Sequence, residues 1–260
     1  MPPRSVVIVQ ARIGSTRLPG KVLLDLGGKS VLAHVLERAA AIGGADLVCC
    51  AVPDTPENDP VAALAARLGA VVVRGSENDV LDRYYEAAVA TQADIVVRVT
   101  SDCPLLDPAL GAQVLAAVAR DGYDYATNDM PPLWPQGLDV EAFSFAWLER
   151  AARQARLPSE REHVTQFIRN HPDVRLYNAE GPGGAIADHR WTLDTEADLR
   201  FLRAVVARLP AGEAGWGWRA ALSVVEADPA LALINAGQDR LAGLKTSLEQ
   251  DAQARAGGAA

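Results

Sequence analysis

One short segment concentrates the chemistry of this 260-residue chain: Gln10-Ala-Arg-Ile-Gly-Ser-Thr-Arg-Leu-Pro-Gly-Lys21. Three cations, Arg12, Arg17 and Lys21, surround a small-residue turn, Gly14-Ser15-Thr16. The backbone N–H groups and hydroxyls of such a turn can ring a phosphate chain while the cations neutralise it. The segment directly follows the apolar run Val6-Val7-Ile8-Val9, and open α/β sheets bind ligands at the C-terminal ends of their strands. Its pattern is neither that of a P-loop nor that of a dinucleotide fingerprint. The plainer alternative is a basic, solvated surface loop.

Two carboxylates stand in comparable places. Asp102 follows a predicted strand ending at Val99, and Asp194 follows one predicted over His189 to Leu193. Mg²⁺ is commonly held by one or two protein carboxylates plus substrate phosphates, so the pair is chemically adequate for it. The alternatives are that Asp102 caps a turn before Pro104 and that Asp194, with Thr195, caps the next helix. Asp139 and Glu141 alternate along a predicted strand and share a face, where carboxylates can bind sugar hydroxyls. Arg161, His163 and Arg190 can pair with a substrate carboxylate, arginine being suited to bidentate capture. His163 reads equally well as a hydrogen-bonded residue at a helix start. The Asp79 to Arg83 and Thr100 to Asp102 segments are candidate walls for a base, although Asp79 also fits the polar first turn of a helix.

These residues need a scaffold, and the pattern supplies one. Val6–Val9 is the continuous apolar run of a strand covered on both faces. A helix is expected over Ser30–Ile42 with Ser30 as its cap, then a strand over Leu47–Val52, a helix over Asp59–Leu68 and a strand over Ala70–Val73. Asp79–Ala90 reads as helix, Asp94–Val99 as strand and Pro108–Ala119 as helix. The alternation predicts an α/β fold with an open, mostly parallel, doubly wound sheet. After Tyr123 the rhythm breaks. A strand is expected over Leu138–Phe143, helices over Phe145–Arg156 and Arg161–Asn170, a strand over Val174–Asn178, a Gly-rich loop over Gly181–Ala185 and a helix over Glu196–Arg208. This gives a main domain over 1–210 with an excursion or lid at about 128–180. A helical extension follows over 211–240, and the Ala/Gly-rich tail 241–260 is expected to fray.

Composition narrows the function classes. With 25 Lys+Arg against 33 Asp+Glu, the net charge is −8, which argues against a nucleic-acid partner. Cys49, Cys50 and Cys103 fit neither a zinc site nor a disulfide framework, so the cytoplasm is the expected compartment. No run approaches the roughly 20 apolar residues of a membrane span. Trp216 and Trp218, with Phe143 to Trp147, read as packing or a dimer contact.

The run Arg12-x-x-Ser15-Thr16-Arg17-Leu18-Pro19-Gly20-Lys21, continuing Val-Leu-Leu-Asp-Leu-Gly-Gly-Lys29, resembles the signature of the cytidylyltransferases that make CMP-activated 2-keto-3-deoxy sugar acids. In detail it resembles the spore coat polysaccharide biosynthesis protein F branch. The similarity extends over roughly residues 5 to 208, through Gly75-Ser-Glu-Asn-Asp-Val-Leu-Asp-Arg83, Thr100-Ser-Asp-Cys-Pro-Leu-Leu-Asp107, Gly137-Leu-Asp-Val-Glu141, Arg161-Glu-His-Val-Thr165 and Leu193-Asp-Thr-Glu-Ala-Asp198. The resemblance implies a nucleotide-diphospho-sugar transferase-like sheet with a dimerisation excursion, hence a homodimer. It implies that Arg12, Ser15, Arg17 and Lys21 hold the CTP phosphates, with Ala11, Gly14, Asp79, Thr100 and Ser101 completing the nucleotide site. It assigns Arg12, Lys21 and Asp102 to catalysis and Asp102 and Asp194 to Mg²⁺. The implied reaction is attack of a sugar hydroxyl on the α-phosphorus of CTP with loss of pyrophosphate, which calls for positioning and charge neutralisation rather than a protein nucleophile. Val22 stands after Lys21 where the sialic-acid enzymes carry Asn, so sialic-, legionaminic-, pseudaminic- and octulosonic-type acceptors stay open. The alternatives are a nucleotidyltransferase with another small acidic acceptor, a glycosyltransferase on a similar sheet, and a non-catalytic nucleotide sensor. A glycosyltransferase usually places D-x-D on its metal, whereas Cys103-Pro104 follow Asp102, and a degenerate sensor would have lost part of the Arg12, Lys21, Asp102 and Asp194 set.

Overall fold

The computed structural model describes residues 2–210 and 216–257. Its strands are β1 (Ser5–Gln10), β2 (Asp25–Leu26), β3 (Lys29–Ser30), β4 (Leu47–Pro53), β5 (Val71–Gly75), β6 (Ile95–Thr100), β7 (Tyr125–Thr127), β8 (Glu141–Ser144) and β9 (Leu176–Asn178). Strands β2 and β3 form a small hairpin, and the others one sheet in the order β5-β4-β1-β6-β8-β7-β9. The left half, β5-β4-β1-β6, is parallel throughout, and β8 then pairs antiparallel with β6 and β7. Val6 to Val9 of β1 are wholly buried because helices cover both faces, which is why the run does not alternate in polarity.

The helices are α1 (Val31–Ala40), α2 (Asp59–Arg67), α3 (Val80–Thr91), α4 (Pro108–Ala119), α5 (Phe145–Gln154), α6 (Pro158–Glu162), α7 (Gln166–Arg169), α8 (Gly184–Ala187), α9 (Glu196–Val206), α10 (Trp218–Ala227) and α11 (Ala242–Gly257). On one face Val7 and Val9 pack with Leu32, Val61, Val114 and Phe201 from α1, α2, α4 and α9. On the other, Val6 and Ile8 meet Leu81, Tyr84, Trp147 and Ile168 from α3, α5 and α7. Burying each such side chain contributes roughly 1.5–3 kcal/mol, so the sheet is a rigid base for the loops at its edge. Among the described residues no helix is long and apolar enough to cross a membrane.

The alternating half follows the sequence reading closely, with Ser30 capping α1 through Ala33 N at 3.2 Å. The later half departs from it. Within the region read as an excursion or lid, about 128–180, the strands expected over 138–143 and 174–178 form as β8 and β9 and pair into the main sheet. The predicted helix 161–170 divides into α6 and α7 because the backbone turns left-handed at Val164 (φ 60°), a conformation unfavourable for a β-branched residue. The predicted strand His189–Leu193 is not a strand of the sheet and makes only an isolated bridge, from Arg190 to Gln136, outside the named strands. It is buried for another reason: a Cβ on Gly137 (φ 104°) would fall 2.5 Å from the Trp191 carbonyl carbon, so the two segments meet backbone to backbone. The tail expected to fray is helical over α11 and is tied to the body by polar contacts, while residues 211–215 and 258–260 of the predicted extension and tail lie outside the described residues.

Candidate active site

The loop after β1 leaves the sheet at Ala11, whose N–H donates to Ala51 O at 3.1 Å, and Asn58 anchors its next turn by accepting from Ile13 N at 2.8 Å. Gly20, left-handed at φ 67°, reverses the chain so that Lys21 points back over the sheet edge. The two carboxylates meet there. Lys21 Nζ donates to Asp102 Oδ2 at 2.8 Å, to Asp194 Oδ1 at 2.8 Å and to the Leu193 carbonyl at 2.7 Å. Leu193 N also donates to Asp102 O at 2.8 Å, so a backbone hydrogen bond joins the two carboxylate-bearing segments. Thr195, not Asp194, caps α9, which leaves Asp194 to face Lys21, Arg17 (3.1 Å) and Arg190 (2.9 Å).

Electrostatics make this junction strongly ionic. Burial pushes the Asp102 carboxyl up, but the charge and hydrogen bond of Lys21 outweigh it and bring it down to about 2. Burial depresses Lys21, and the two aspartates overcome that to hold its ammonium above the ordinary lysine range. Both partners are therefore charged at neutral pH.

A cavity of about 590 Å³ opens over this junction. Ala11, Arg12, Gly14, Ser15, Arg17 and Lys21 line it with Thr100, Ser101, Asp102 and Asp194, so the predicted cradle and carboxylate pair converge. Arg161 and His163 form part of the opposite side. Asp79 stands behind that wall. It caps α3 through Asp82 N (2.9 Å) and accepts from Arg161 Nε (2.9 Å), so its capping alternative holds.

Three predicted acceptor residues do not line the cavity. Glu141 is buried and its oxygens accept from Arg98, Tyr125 OH (2.5 Å) and Thr165 Oγ1 (2.5 Å), so three protein donors already engage its carboxylate. Asp139 sits before β8 and accepts from Arg240 at 2.7 Å and Gly137 N at 3.1 Å. Arg190 is engaged by fully buried Asp198 at 2.9 Å and by Asp194, so its guanidinium orients a carboxylate of the junction. Alternation told which face a residue occupies but not whether its polar atoms were already satisfied.

The cavity also contains Gln10, Glu77, Asn78 and Arg83, which lie in segments quoted from the sequence without a role of their own, and Arg98 and Gln250, which the sequence reading did not single out. Arg83 lies within the quoted Gly75–Arg83 motif, and burial lowers its pKa. Arg98 interrupts the otherwise apolar strand Ile95–Thr100, a signal for a cation with an internal partner. It pairs with Glu141, which more than offsets the desolvation of its charge, and a second nitrogen donates to Gln10 Oε1 at 3.2 Å.

A sequence profile described as Cytidylyltransferase matches residues 6–190, which include the cradle, the Asp102 segment and the cavity residues Arg161 and His163. The chain belongs to the cytidylyltransferase family. This cytidylyltransferase is 36% identical over 204 residues to the spore coat polysaccharide biosynthesis protein SpsF of Bacillus subtilis, covering 76% of this chain and 84% of the relative. It is 41% identical over 213 residues to the 3-deoxy-manno-octulosonate cytidylyltransferase of Anaeromyxobacter dehalogenans, covering 76% and 84%. Among solved structures, a cytidylyltransferase from Leptospira borgpetersenii superposes with a TM-score of 0.82 at 28% identity over 91% of this chain and all of its own. The family match settles the enzyme class as a nucleotidyltransferase, against the glycosyltransferase and sensor readings.

Among the described residues no group of three His, Cys, Asp or Glu side chains is gathered to hold a metal. The donor set that exists is Asp102 with Asp194. Both reach one ammonium at 2.8 Å, so both can reach one cation, and carboxylate oxygens are hard donors suited to Mg²⁺ when phosphates complete the shell.

Proposed function

We propose that this cytidylyltransferase transfers CMP from CTP to a 2-keto-3-deoxy sugar acid in an Mg²⁺-dependent reaction that releases pyrophosphate. The observation that carries the reading is the convergence of Lys21 on Asp102 and Asp194 at the floor of a cavity rimmed by Arg12 and Arg17. Cations and carboxylates alternate there within hydrogen-bonding distance, the arrangement needed to bind a polyphosphate and balance the charge that develops on it.

In this reading the exposed guanidinium groups of Arg12 and Arg17 take the β- and γ-phosphates, and the turn Gly14-Ser15-Thr16 supplies N–H and hydroxyl donors. Asp102 and Asp194 would hold Mg²⁺, which when bound supplies neutralising charge beside the phosphates. Lys21 then transfers its hydrogen bonds from the aspartates to phosphate oxygens. An acceptor hydroxyl oxygen forms the new bond to the α-phosphorus as the bond to the β-phosphate bridging oxygen breaks. The hydroxyl proton leaves to solvent and pyrophosphate carries away the bonding pair. No side chain becomes covalently modified, consistent with three buried cysteines, of which Cys49 and Cys50 are pushed up to about 12 by burial.

The acceptor lies at the end of the cavity bounded by α6, where His163, Glu162 and the Arg161 wall face the cradle. Hydrogen-bonding and charged groups there suit a polyhydroxylated acid, and the relatives at 36% and 41% identity carry names from polysaccharide and octulosonate chemistry. The test is ligand-induced melting. CTP with Mg²⁺ raises the melting temperature more than ATP, GTP or UTP, and a stabilisation of about 2.7 kcal/mol is expected at a hundredfold excess over Kd. Equal shifts with all four nucleotides would remove the base preference, and no shift would remove the site.

A further inference from the structure

We propose that the C-terminal helix α11 is the acceptor-side wall of the cavity and that Gln250, on its inner face, contacts the acceptor; this rests on the reading of the cavity as a CTP and sugar-acid site. The helix lies outside residues 6–190, the stretch shared with the family profile. It is mostly solvent-exposed, yet Ser247 and Asp251 on it are 1% and 4% exposed. Both are buried by polar bonds to α6. Ser247 Oγ donates to Glu162 Oε2 at 2.5 Å and lies 2.9 Å from His163 Nε2, while Asp251 accepts from Ser159 N at 2.9 Å and Ser159 Oγ at 2.6 Å.

Residues 247, 250 and 251 fall at three- and four-residue spacings and therefore share one helix face. Two of them hold that face onto α6, and the third, Gln250, lines the cavity beside Pro158, Glu162 and His163. Its amide offers both donors and an acceptor, the complement of a sugar carrying hydroxyls and a carboxylate. The foot of the helix is also secured: Arg240 donates to Asp129 at 2.8 Å, Asp139 at 2.7 Å and the Trp134 carbonyl at 3.0 Å. A helix that merely decorated the surface would not need two nearly buried side chains bonded to the short helix that carries the cavity wall.

The test uses the full chain with Gln250→Cys, or Glu249→Cys as a neighbour on the exposed surface, since all three native cysteines are buried and do not compete for a thiol reagent. Iodoacetamide labelling is followed alone, with CTP and Mg²⁺, and with CTP, Mg²⁺ and each member of a panel of 2-keto-3-deoxy sugar acids. The expected result is at least tenfold slower labelling at position 250 with CTP plus one acid, and an unchanged rate at position 249. Protection by CTP alone overturns the assignment by placing Gln250 beside the nucleotide, and no protection by any acid overturns it too. Wild-type melting with CTP separates the two failures. A retained CTP shift with an unprotected cysteine sinks only the role of α11, whereas loss of the shift sinks the reading beneath it.

Discussion

The two sides of the cavity are built in opposite ways. The cradle is local: residues 11–21 follow one strand, and its ionic junction is completed by two aspartates that the sheet topology and one backbone bond bring together. The facing wall is assembled from Arg98 on β6, Arg161 and His163 around α6, and Gln250 on α11, residues far apart in the chain. In the proposed function the one contiguous cationic loop takes the triphosphate. An acceptor sugar is read by hydroxyl geometry, which needs donors and acceptors brought from several elements. On the first side the ion pairs meet at one lysine, whereas on the second Arg98 and Arg161 are each held by a carboxylate of their own, Glu141 and Asp79, beside the neutral amide of Gln250, and substitutions should separate the two sides accordingly.

The largest expected effect is at the junction. Lys21→Ala or Asp102→Ala should lower CTP-dependent pyrophosphate release by roughly 10²- to 10³-fold or more, with far-UV circular dichroism unchanged. Normal turnover in either purified variant removes the assigned roles. Next comes the buried pair behind the facing wall. Glu141→Gln leaves Arg98 short of its counter-charge and should cost about 3 kcal/mol in urea unfolding. A variant of native stability with a raised acceptor KM would instead restore Glu141 as a sugar ligand.

A smaller, pH-dependent effect belongs to the anchor of α11. Burial, reinforced by the charge of Asp129 and opposed by Arg240, raises the Asp139 carboxyl to about 7. The folded state thus binds this proton more tightly than the unfolded chain, so its contribution to stability is complete below about pH 4 and is lost as pH rises through 7. Asp139→Asn lacks that titration. The wild-type melting temperature minus that of Asp139→Asn should fall from pH 4 to pH 8, and a flat difference would show that Asp139 titrates normally. The smallest effect is expected for Ser247→Ala, about 1 kcal/mol from its hydrogen bonds to α6, read as faster amide exchange in α11 with the cradle unaffected.

The same division explains what was legible in the sequence. Val6–Val9, the Ser30 cap and the Pro108–Ala119 helix carry local signals, and the cradle is contiguous, so fold class and phosphate side could be read directly. Asp102 and Asp194 were recognisable as strand-end carboxylates, although the strand predicted before Asp194 is a buried segment pressed against Gly137. The surroundings of Glu141, Asp139 and Arg190 were not legible because their partners, Arg98, Arg240 and Asp198, come from other elements and no spacing reveals those bonds. Helix α11 was unreadable because it lacks an apolar stripe. Its attachment depends on Ser247 and Asp251, which in sequence look like ordinary surface residues.

The central claim is that cradle and facing wall bring one nucleotide and one acid together for transfer. The most direct measurement is pyrophosphate release from CTP, ATP, GTP and UTP with Mg²⁺ against a panel of 2-keto-3-deoxy sugar acids. Release is expected with CTP and a member of that panel, dependent on both and lost in Lys21→Ala. Release that ignores the acid, or that is supported equally by all four nucleotides, would contradict the central claim.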